Sequence, residues 1–167
     1  MSNISMYVHA ITLDADSKSP ILILKEENGE RTLPIWIGLL EATAIATEME
    51  KIEFARPMTH DLSVNLLKKM EIKIPRIEIS DLKDNTYYAL ITLKQGDCVL
   101  TVDARPSDAV AIALRADARI FVNESVLRIT QPTKGTLIKI EERTPKEEER
   151  WGKLLEEMDP AAVRYKI

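Results

Sequence analysis

Two short segments carry the residue types that chemistry on a phosphate would need. They are Arg56-Pro57-Met58-Thr59-His60-Asp61-Leu62 and Asp103-Ala104-Arg105-Pro106-Ser107-Asp108-Ala109. In both, Arg-Pro is followed by a hydroxyl and an acid at the start of an expected helix. A helix N-terminus leaves backbone N–H groups unpaired and carries partial positive charge, so it favours anions. Arginine adds a two-pronged donor suited to phosphate. Histidine moves protons near neutral pH. Several carboxylates could hold Mg2+ or Mn2+ beside a phosphate. Together these are the parts that phosphodiester hydrolysis needs.

Plainer roles compete at each position. Thr59 and Ser107 suit helix capping. Asp61, Asp108 and Glu41 fall in first helical turns, where an acid is stabilising by about 0.3–1 kcal/mol. Arg56 and Arg105 could simply pair with those acids. His60 is the histidine among the clustered polar groups; the other, His9, sits in a strand pattern and reads as structural. Asp103 stands at a strand end, where capping does not account for it. Cys98 is the only cysteine, which excludes an intrachain disulfide, and its apolar run suggests a buried side chain. Trp36 alternates against Ile35 and Ile37. Core or subunit packing suits it better than base stacking.

The elements that must position these residues are legible from periodicity. Strands are expected at 6–13, 20–26 and 31–37, with Asn28-Gly29 as a hairpin signal because both residues tolerate positive φ. Helices follow at 39–51 and 60–70, the second with Leu62, Leu66, Leu67 and Met70 as its apolar face. Strands then come at 76–82, 87–94 and 98–104, a helix from Pro106 to about Arg115, and a short strand at 119–122. The chain also resembles itself at an offset of 67 residues. Segments 28–46 and 95–113 share six identities over nineteen positions. Each copy reads as strand, glycine turn, strand and small-residue helix with a carboxylate near its start. The expected fold is α+β: two pseudo-repeated βββα units with a mostly antiparallel sheet, plus an outer C-terminal helix. Residues 1–130 would form the domain. Residues 131–167 would form an extension with one amphipathic helix, whose stripe is Trp151, Leu154, Leu155 and Met158.

Composition narrows the function classes. The chain has 167 residues, 45% of them hydrophobic, and a net charge of −4. That balance argues against broad electrostatic attraction to nucleic acid but leaves room for a local basic cleft. Phosphate-loop, dinucleotide, paired-cysteine zinc and Gly-x-Ser-x-Gly signatures are absent. No stretch approaches the ~18 apolar residues of a membrane span. A cytoplasmic setting, no membrane partner and no organic cofactor are expected, together with a homo-oligomer such as a dimer.

At the level of motifs, Leu33-Pro34-Ile35-Trp36-Ile37-Gly38, Glu41-Ala42, the two Arg-Pro segments and Val122-Asn123-Glu124-Ser125-Val126 resemble the bifunctional nuclease domain family. The resemblance covers about Met6 to Ile129. It implies a cytoplasmic α+β protein with nuclease activity towards both RNA and DNA. We expect His60, Asp103, Arg105 and Asp108 to be catalytic, and Arg56, Thr59 and Ser107 to bind substrate. Asp61 and Glu41 are the expected metal ligands, for Mg2+ or Mn2+. The competing expectation is a non-enzymatic module that binds an anion or small ligand, or a protein partner.

Overall fold

The computed structural model describes residues 2–130. The expected C-terminal extension and its amphipathic helix lie outside the described residues. Seven strands form one sheet: β1 (Asn3–Leu13), β2 (Pro20–Glu26), β3 (Thr32–Trp36), β4 (Lys73–Lys83), β5 (Thr86–Gln95), β6 (Cys98–Ala104) and β7 (Arg119–Asn123). The helices are α1 (Leu39–Met49), α2 (Thr59–Lys69), α3 (Pro106–Ala116) and α4 (Glu124–Thr130). The sheet order is β3-β2-β1-β7-β4-β5-β6. All pairings are antiparallel except β4 with β7. Each half is therefore a three-strand meander running outwards from the central β7, and each meander is followed by a helix.

Within the described residues the expected strands and helices are all present. The turns are less predictable. Asn28 and Gly29 do not adopt positive φ. That hairpin is clamped instead by Arg31, whose Nε and Nη2 donate to Glu26 at 2.8 and 2.6 Å. Left-handed backbone occurs elsewhere, at Gly96 (φ 57°) after β5 and, between β4 and β5, at both Asp84 and Asn85, at φ 47° and 60°. Two such residues suit a two-residue hairpin between twisted strands.

Burial follows the two periodicities. Alternate residues of the strands, among them Leu22, Leu24, Ile77, Ile79 and Ile91, enter one core with Ile45 of α1 and Val110 of α3. α3 lies over β4, β5 and β7, with α1 and α2 flanking it, and α1 also rests on β2. The sheet curls around this helical layer. The phenol of Tyr87, at the start of β5, donates to the Pro34 carbonyl of β3 at 3.3 Å, although four strands separate them in the sheet. Burial pushes the Tyr87 phenol pKa up.

Two expectations about packing are corrected, and for Trp36 the core alternative drops out. α2 buries Val64 but leaves Leu62, Leu66 and Met70 half exposed. Cys98 is exposed rather than buried, because β6 is an edge strand. Trp36 lies at the end of the other edge strand, half exposed, with Nε1 donating to Asp14 Oδ2 at 3.4 Å. Sequence alternation had no means of showing which strands lack a neighbour.

Candidate functional site

Three helix starts build the site, and each repeats one local device. Gly38, Met58 and Arg105 are the N-caps of α1, α2 and α3. Glu41, Asp61 and Asp108 therefore each occupy the third helical position. An acid there faces the unpaired N–H groups and the positive end of the helix dipole. The expected capping roles of Thr59 and Ser107 are corrected by this register. Thr59 is the first residue of α2 and Ser107 the second of α3, and neither hydroxyl makes a capping bond. Thr59 is exposed and Ser107 buried. Pro106 at the first helical position of α3, where a missing N–H costs nothing, shifts the cap back to Arg105.

The three acids then diverge. Asp108 accepts from His60 Nε2 at 3.0 Å and from Arg105 Nε at 2.7 Å. Arg105 also donates through Nη1 to Glu41 at 2.8 Å. His60, Asp108, Arg105 and Glu41 thus form one connected set drawn from α2, α3 and α1. Asp61 turns elsewhere. Its Oδ1 accepts from Arg115 Nε and its Oδ2 from the Met58 N–H at 2.8 Å. Arg115, only 7% exposed, was not singled out in the sequence. The available signal was its spacing: seven residues, or two helical turns, beyond Asp108 on the same face of α3.

Asp103 and Arg56, like Asp61, Thr59 and Ser107, stay outside the set. Ala104 pairs with Ala89 and Val102 with Ile91, both core residues. Asp103 lies between them, so strand alternation turns it to the sheet face away from the helices. It is exposed and makes no side-chain hydrogen bond or ion pair with another described residue. Arg56 is exposed in the connection before α2 and likewise has no described side-chain partner.

Electrostatics distinguish the members. Burial opposes the charge of Asp108, but the hydrogen bonds from Arg105 and His60 outweigh it and hold its carboxyl below the ordinary range. The same balance, with Arg115 and the Met58 N–H as donors, lowers Asp61. The Asp108 carboxylate in turn holds the Arg105 guanidinium more firmly protonated. An ionised carboxylate only accepts, so His60 Nε2 carries the proton of this bond and neutral His60 has its lone pair on Nδ1. Nδ1 has no described partner, and the imidazole is 19% exposed. The arrangement is an oriented proton acceptor beside a guanidinium that is 66% exposed. Two carboxylates against one guanidinium leave the set with one net negative charge while His60 is neutral.

The donor set does not fit a divalent ion as it stands. Among the described residues no three His, Cys, Asp or Glu side chains group to hold a metal. Both oxygens of Asp61 are engaged, and Arg105 lies between Glu41 and Asp108.

Residues 22–134 match the family model described as bifunctional nuclease domain. An uncharacterized protein of Mycobacterium tuberculosis is 43% identical over 120 residues, covering 72% of this chain and 71% of that protein. Bifunctional nuclease 2 of Oryza sativa subsp. japonica is 30% identical over 111 residues, or 64% of this chain and 34% of the plant protein. Bifunctional nuclease 1 of Arabidopsis thaliana is 28% identical over 110 residues, with 63% and 34% covered. The similarity thus spans about a third of the length of these plant relatives.

Proposed function

This chain belongs to the bifunctional nuclease domain family, and we propose that it hydrolyses phosphodiester bonds in RNA and DNA with little sequence specificity. The observation that carries the proposal is the His60–Asp108–Arg105 constellation at the converging starts of α2 and α3. DNA lacks a 2′-hydroxyl, so one mechanism for both substrates needs water as the nucleophile. His60 Nδ1 takes the proton of that water as its oxygen attacks phosphorus, and the ester oxygen leaves, taking a proton from solvent. Asp108 holds the imidazole in the required tautomer and offsets the charge it gains. Arg105 and Arg56 bind the phosphate oxygens. No step is routed through a divalent ion, and Mg2+ or Mn2+ dependence is measured in the same assay.

The test is cleavage of RNA and single-stranded DNA by the full chain, with and without Mg2+ or Mn2+. Loss of a general base costs about 100- to 10,000-fold, and this is the expected loss for His60→Ala. Arg105→Ala is expected to weaken both turnover and substrate binding. Asp103→Asn, on the opposite sheet face, is expected to lose less than the His60 variant. Unchanged cleavage in His60→Ala would sink the proposal.

A second function, binding of an anion or small ligand without cleavage, is favoured by one observation. Among the described residues no three His, Cys, Asp or Glu side chains group to hold the metal that phosphodiester cleavage often uses. Phosphate or nucleotide binding that depends on Arg105, with no turnover under any metal condition, would establish it.

A further inference from the structure

We propose that β6 is a self-association edge, through which two copies of this chain join their sheets antiparallel about Thr101. The proposal is independent of the nuclease function. Among the described residues β6 is the last strand of the sheet, and six of its seven residues are exposed. Val99, Leu100 and Val102 expose 58%, 60% and 45% of their surface. Proteins protect such edges with lysine, proline, bulges or short strands. Cys98–Ala104 has no lysine, proline or bulge, and its only charge is Asp103. The opposite edge, β3, is five residues long and carries Pro34.

The apolar surface continues onto α2. Leu100 pairs with Leu93 and Val102 with Ile91, so both point to the helix side of the sheet. On that side α2 presents Leu62, Leu66 and Met70, each at least half exposed. Gln95 at the end of β5 donates to the Met70 carbonyl at 2.8 Å, tying the end of α2 to this rim of the sheet. A stable interface commits about 800 Å2 from each partner, and the α2 stripe adds a second layer to the strand edge.

The occupant follows from backbone chemistry. An open edge presents unpaired N–H and C=O groups, which only an extended strand can satisfy. An amphipathic helix, such as that expected from residues 147–158, spends its own backbone groups internally and would cover α2 alone, and a short strand expected from residues 136–142 would cover the edge alone. A second β6 supplies both the strand and a matching apolar face. Like charges directly opposite are destabilising, and a two-fold at Leu100 would set Asp97 against Asp103. Moving it to Thr101 instead pairs Leu100 with the second copy's Val102, twice, and Thr101 with itself.

The test uses the full chain. Light scattering is expected to give twice the 18.9 kDa chain mass, and a wild-type monomer overturns the proposal. In a Cys98→Ser background, Thr101→Cys is expected to cross-link under mild oxidation roughly a hundredfold faster than Thr86→Cys, because paired strands hold the thiols at high effective concentration. Equal rates at the two positions overturn it. Leu100→Lys is expected to yield a monomer with an unchanged far-UV spectrum. A Leu100→Lys dimer places the joint elsewhere and overturns the assignment. If that variant does not fold, the Thr101 cross-link, at an exposed position, decides alone.

Discussion

Asp61 and Asp108 have the same position in their helices and opposite prospects. Asp61 neutralises Arg115, a guanidinium that is nearly buried, and also caps the Met58 N–H. Removing its charge leaves a buried cation unpaired, which costs about 2–3 kcal/mol for a partly exposed pair. Asp61→Asn should therefore lower the melting temperature markedly. Asp108 faces His60 and the more exposed Arg105. Asp108→Asn should cost less stability and, under the nuclease proposal, more turnover, because the amide can hold the wrong imidazole tautomer. Thermal melts and cleavage rates measured on both variants check this split. If Asp108→Asn melts lower than Asp61→Asn, the assignment of structural and functional acids is reversed.

Between elements, the site depends on three helix starts keeping their relative placement. Gly38 contributes space rather than unusual backbone, since its φ is −76°. A Cβ there would collide with the carboxylate of Glu41, which folds back over the start of α1. That carboxylate is the mobile end of its side chain, so it can swing away at little cost. Gly38→Ala should leave the melting temperature within a few degrees and release Glu41 from Arg105. The exposed guanidinium then loses one of its two anionic partners. Phosphate binding measured by calorimetry should tighten. Unchanged binding would mean that Glu41 does not restrain Arg105. The order of elements matters here too: two meanders followed by α1 and α3 supply Glu41 and Asp108, while His60 comes from α2, which lies between the two meanders in the chain.

For the whole molecule, the described carboxylates with shifted pKa values all move the same way. Asp14, Glu26, Asp61, Asp81 and Asp108 are lowered by hydrogen bonds or ion pairs in the folded chain. Their ordinary values are 3.8 for aspartate and 4.5 for Glu26. A carboxyl lowered on folding stabilises fully above its ordinary value and loses that contribution as pH falls through the folded one. The unfolded chain binds more protons in that window. Denaturant midpoints should stay level from neutral pH down to about 5 and then fall steeply below about 4. Asp61→Asn should flatten the acid limb. An acid limb that is identical in that variant would show that Asp61 is not among the linked groups. Among the described residues no helix is long and apolar enough to cross a membrane.

The sequence by itself determined the elements, because strand and helix periodicity is set by each segment's own side chains. The bounds of β2 and β6 match those expected, and the acids of α1, α2 and α3 were placed in first turns from sequence alone. It also brought His60, Arg105 and Asp108 forward as candidates. Tertiary structure decided which of them meet. His60 finds Asp108 across 48 residues, Asp61 finds Arg115 across 54, and Arg105 finds Glu41 across 64. Those pairings come from how α1 and α2 pack against α3, which no local pattern encodes. The same holds for Asp103, turned to the far face by strand alternation once Ala104 is committed to the core. It holds for Cys98 and the outer stripe of α2 as well, left exposed because β6 has no strand on its outer side among the described residues.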